Sequence, residues 1–76
     1  MTDRLPRVSA AEVVRVLEKA GFYLACQSGS HRIYKNAEGL RATVPYHSGK
    51  ELHPKIIKNI LRDADMTVED FLELMK

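Results

Sequence analysis

Between Gly21 and Pro45 two tight turn signals, Ser28-Gly29 and Asn36-Ala37-Glu38-Gly39, cut the chain into three short runs with strand-like character. Strands joined by connections this short must pair antiparallel, because a parallel neighbour needs a long crossover. In the first run Phe22, Leu24 and Cys26 alternate with Tyr23, Ala25 and Gln27. The second, Ser30 to Lys35, puts His31, Ile33 and Lys35 on one face and Ser30, Arg32 and Tyr34 on the other. Alternation leaves open which of these faces is buried, so Ile33 and Tyr34 compete for the core. Leu40 to Val44 returns as the third strand, ended by Pro45.

Helical signals flank this block. Residues 1 to 8 read as an irregular lead-in broken by Pro6. Ser9 and Glu12 then form a capping box, with Val8 and Val13 at the positions of a hydrophobic staple, so a helix starts at Ala10. Val13, Val16, Leu17 and Ala20 share its apolar face, Glu12, Arg15, Glu18 and Lys19 lie toward the other, and Gly21 ends it. After a polar loop over residues 46–52, Pro54 suits the first turn of a second helix striped by Ile56, Ile57, Ile60, Leu61 and Ala64. Thr67 with Asp70 opens a short last helix in which Val68, Phe71, Leu72 and Met75 can pack. The order predicts an α+β two-layer sandwich: a three-stranded antiparallel sheet, both long helices on one face, a short C-terminal helix, and the other sheet face open.

With 76 residues the chain is expected to be one domain over 1–76, with a core too small to enclose a deep cleft. Chemistry is therefore expected on a surface or in a shallow groove, which suits a polymer or a protein partner. No signal-peptide core and no apolar run of bilayer length is visible, so a cytoplasmic protein without a membrane association is expected. The net charge of +2 hides an asymmetry. Residues 28–62 carry seven cations (Arg32, Lys35, Arg41, Lys50, Lys55, Lys58, Arg62) against Glu38 and Glu51, a balance of +5. Residues 63–76 carry Asp63, Asp65, Glu69, Asp70 and Glu73 against Lys76, a balance of −4. A basic middle containing all three histidines favours a polyanion such as nucleic acid.

The stretch Gly29-Ser30-His31-Arg32-Ile33-Tyr34 places an imidazole directly after a turn, beside an arginine. Histidine exchanges protons near neutral pH, and among cationic side chains it suits a phosphate ester. Other chemistries fit less well. The spacings of His31, His47 and His53 match no usual zinc set, and the single Cys26 excludes an internal disulfide and a four-thiolate site, so neither metal nor other cofactor is expected. Alternation places Cys26 with Phe22 and Leu24, which predicts a small buried residue rather than a reactive thiol. Ser48-Gly49-Lys50 lacks the first glycine and the spacing of a nucleotide-binding loop, and the acidic residues gather in the last helix, away from a plausible groove. Histidine acid–base chemistry on RNA remains, where the 2′-hydroxyl is a nucleophile already attached to the substrate.

The chain resembles the HicA-type toxins of bacterial toxin–antitoxin systems. The resemblance rests on the capped first helix ending at Gly21-Phe22, the Gly29-to-Tyr34 segment, Thr43-Val44-Pro45 followed by His47, Gly49-Lys50-Glu51-Leu52, and Ile60-Leu61-Arg62 entering the last helix. It implies a double-stranded-RNA-binding-like fold and ribosome-independent mRNA cleavage by one catalytic histidine, which maps onto His31. It also implies neutralisation by a HicB-type antitoxin. The main departure is His53-Pro54-Lys55, where many relatives have a glycine-threonine entry to the second helix. Ser30, Arg32, Lys35, Arg41, His47 and Lys50 are expected to line the RNA path. Two rival readings keep the basic surface without catalysis: an RNA-binding module of the same fold, and a domain that meets an acidic protein partner.

Overall fold

The computed structural model describes residues 7–46 and 51–76. His47, Lys50 and the centre of the polar loop lie outside the described residues, as does the lead-in before Arg7. The elements run α1 (Ala10–Lys19), β1 (Tyr23–Ser28), β2 (His31–Lys35), β3 (Arg41–Pro45), α2 (Pro54–Asp63) and α3 (Val68–Met75). The α+β reading and its open three-stranded antiparallel sheet are therefore correct, with strand order β1-β2-β3.

Local chemistry sets the helix ends. The Glu12 amide donates to the Ser9 hydroxyl and the Ser9 amide to the Glu12 carboxylate, so two orphan donors of α1 are satisfied reciprocally. Val8 and Val13 are both buried, as a staple requires. At the other end Gly21, at φ 98°, donates to the Glu18 carbonyl and Phe22 to that of Leu17, a Schellman closure that turns the chain into β1. The same closure ends α2, with Asp65 at φ 56° and Met66 donating to the Leu61 carbonyl. A bridge between Ser9 and Glu51, with the Leu52 amide donating to Val8, ties the entries of α1 and α2 together. Lys19, at the end of α1, donates to the Leu74 and Lys76 carbonyls and so holds the end of α3.

The core lies between the helices and one face of the sheet. Tyr34, Ala42 and Val44 pack there with Val13, Val16, Leu17, Ile57, Ile60, Leu61 and Phe71. Tyr34 wins the contest with Ile33 because its cross-strand partner is Ala42, next but one to Val44, and this apolar pair faces the helices.

The first strand departs from expectation. All six residues of β1 are exposed, including Cys26, which the alternation had placed in the core. Both long helices pack chiefly against β3, which leaves β1, at the far edge of the sheet, exposed along its length. A bulge between Leu24 and Cys26 also breaks the alternation that linked Cys26 to Phe22.

Candidate nucleic-acid interface

His31 owes its position to a two-residue hairpin. Ser28 pairs with His31, leaving Gly29 and Ser30 as the turn, and Gly29 at φ 57° takes the first central position of a type II′ geometry that suits the twist of the strands. The Tyr46 amide donates to the Ser30 carbonyl at 2.6 Å, which fastens the end of β3 to the same turn. His31 thus begins β2 at a hydrogen-bonded corner, with its side chain exposed.

Register decides what shares its face. Directly opposite residues in antiparallel strands lie on one side of the sheet. Three rows follow on the open face: Ser28, His31 and Pro45; Cys26, Ile33 and Thr43; Tyr23, Lys35 and Arg41. The first and last rows are four residues apart along β2, about 13 Å at the usual strand rise. Among the described residues, neither Lys35 nor Arg41 spends its charge on a side-chain hydrogen bond or ion pair. Both cations stand on the same sheet face as the imidazole, about 13 Å along it, and remain available to an anion.

Arg32 is not on that face. It points to the helix side, half-buried, with its guanidinium carbon 3.8 Å from the centre of the Tyr46 ring. Its Nε is buried without a hydrogen-bond partner among the described residues. Arg32 therefore clamps Tyr46, the last described residue before His47, while His31 faces the other way. Of the six residues expected on an RNA path, Lys35 and Arg41 lie with His31, Ser30 shapes its turn, Arg32 braces from behind, and His47 and Lys50 are outside the described residues.

His53 has a separate occupation. It caps α2, its Nδ1 accepting from the Lys55 amide at 3.1 Å, and Pro54 follows at the first helical position. The His53-Pro54-Lys55 entry is thus a working helix start.

The described residues form surface grooves elsewhere, and His31 lines neither of the two larger ones. One of about 580 Å³ between α2 and α3 is edged by Lys55, Lys58 and Arg62, the last bonded to Asn59 at 2.7 Å. One of about 370 Å³ near the ends of α1 and α2 carries Glu38, Asp65, Asp70 and Glu73. Three of the five acidic residues of the tail, Asp65, Asp70 and Glu73, thus share one groove with Glu38. Among the described residues no three histidine, cysteine or acidic side chains gather as a metal site, and no helix is long and apolar enough to cross a membrane.

Tyr23 and Thr43 on the open face carried no local signal as site residues. They emerge only from strand register, since each is placed beside a basic or histidine-bearing strand by a partner distant in sequence.

No curated protein matches the chain. The family model described as the HicA toxin of bacterial toxin–antitoxin systems matches residues 10–66, from the start of α1 to the turn that closes α2. That span holds the whole sheet, both long helices and the His31 corner, and so the chain belongs to the HicA toxin family.

Proposed function

We propose that this toxin is a metal-independent endoribonuclease that cleaves mRNA in the cytoplasm, with His31 moving the proton. The observation that carries the reading is an exposed histidine at a hydrogen-bonded hairpin corner, on the same open sheet face as Lys35 and Arg41, which are unpaired among the described residues, within a chain of a toxin family. An open face admits a polymer at any point along its length, whereas an enclosed pocket would admit only an end or a monomer.

The chemistry asks little of so small a protein. The 2′-hydroxyl attacks the adjacent phosphorus, the bond to the 5′-oxygen breaks, and one proton leaves the nucleophile while another reaches the leaving oxygen. His31 serves as general acid or general base for one of these transfers. Lys35 and Arg41 hold the backbone and offset its charge, as do His47 and Lys50, which follow Tyr46 in the chain. Ser30 fixes the corner and contacts the strand there. Arg32 acts through Tyr46 as a positioning residue.

A HicB-type antitoxin is the proposed partner. A basic RNA face is a surface that an acidic protein can occupy as a mimic, with association speeded by steering. Occlusion of this kind needs no conformational change.

The test is His31→Ala under matched expression, with its fold checked by circular dichroism. Loss of growth arrest and of mRNA cleavage in a folded variant is the expected result. Undiminished arrest at equal protein level would remove the histidine from the mechanism and leave an RNA-binding module or an interaction domain.

A further inference from the structure

We infer that Tyr23 is a base-stacking residue, and that the substrate crosses the open sheet face as a single strand with one unpaired base on this ring. The inference rests on the reading of that face as the RNA site and adds a contact that neither charge nor the histidine supplies.

Tyr23 is 54% exposed, the most exposed large side chain of apolar character among the described residues. It stands in one cross-strand row with Lys35 and Arg41, and direct neighbours in such a row have side chains within contact range. The side chain is nevertheless exposed. The cation–ring contact of the described residues is that of Arg32 with Tyr46, on the other face, so Lys35 and Arg41 leave the Tyr23 ring free. Tyr23 lies on the sheet face that points away from the helices. A free aromatic face beside two free cations is the pairing that single-stranded nucleic acid uses: stacking for a base and charge for its phosphate.

The distance gives the arrangement its sense. The row lies four residues along β2 from His31, about 13 Å, so a short run of nucleotides spans from the scissile phosphate to the stacked base. In a duplex the bases are already stacked on each other, and the ring has nothing to receive. A sheet face used in this way selects unpaired RNA, and does so without reading base edges.

The test uses the full chain carrying His31→Ala, so that bound RNA is not cut. Affinity is measured for a short single-stranded RNA of mixed sequence, for the same RNA in a duplex, and for an abasic ribose-phosphate oligomer of equal length and charge. Adding Tyr23→Ala is expected to weaken single-stranded RNA about tenfold and to leave the duplex and abasic oligomer unchanged. Tyr23→Phe is expected to keep the affinity. Leu24→Ala truncates the neighbouring exposed side chain on the opposite face of β1 and is expected to leave all three affinities as they were. Equal losses for RNA and the abasic oligomer, or no loss for either, would overturn the stacking role while the RNA site stands. A His31→Ala protein that binds none of the three would overturn the RNA site itself.

Discussion

At the scale of single residues, neighbours in sequence divide labour between the two sides of the sheet. His31 is exposed on the open face, and Arg32, one position on, is half-buried against Tyr46. Alternation along β2 makes this separation readable from the amino-acid order. Which side is open follows from register alone, because Tyr34 falls opposite Ala42 and beneath the helices. The consequence for the cations is a testable split. Lys35→Gln should weaken RNA binding across sequences and lower the slope of log affinity against log salt by about one unit, since one phosphate contact is lost. Arg32→Gln should disturb the Tyr46 contact instead and leave that slope nearly unchanged. Titrations of RNA affinity against salt check both, and a full unit lost in Arg32→Gln would place its charge on the RNA.

At the scale of elements, caps and turns were legible and edges were not. Ser9 with Glu12, Gly21, Asn36 with Gly39, and Thr67 with Asp70 all act within a few residues of themselves, so the sequence displays each device whole. The Cys26 exposure was hidden because burial depends on how far the helix layer extends sideways, which no local pattern states. The histidine at position 53 shows the same limit in reverse. It reads as one of three basic-segment histidines, yet its Nδ1 accepts from the Lys55 amide and starts α2. His53→Ala should therefore cost about 1 kcal/mol of folding stability, as loss of an N-cap does, while RNA cleavage per folded molecule is retained. His53→Ser should restore most of the loss. Denaturant melts with parallel cleavage rates separate the two histidines, and a cleavage defect in stable His53→Ser would make position 53 part of the site.

At the scale of the molecule, charge gathers in separate patches, with the cations Lys55, Lys58 and Arg62 along the groove between α2 and α3. The open face presents Lys35 and Arg41 with His31, while the acidic groove lined by Glu38, Asp65, Asp70 and Glu73 sits by the helix ends. The run of charge was visible in the sequence, but its assignment to different surfaces needed the fold. Membership of a toxin family calls for an inhibitor, and occlusion of the open face predicts competition. A saturating antitoxin should displace RNA from the His31→Ala protein, with an effect that weakens as salt rises. A stable complex holding both, with RNA still on the strands, would show that inhibition works by another route.

If His31 drives transesterification of RNA without a metal, the ends of the cut RNA carry its signature. Purified protein, incubated with RNA in excess chelator, should yield 5′-hydroxyl ends paired with 2′,3′-cyclic or 3′-phosphates. His31→Ala should yield neither, and an RNA with 2′-deoxyribose at every position should stay intact. Cleavage of the all-deoxy strand, 5′-phosphate products, or full activity in His31→Ala would contradict the account.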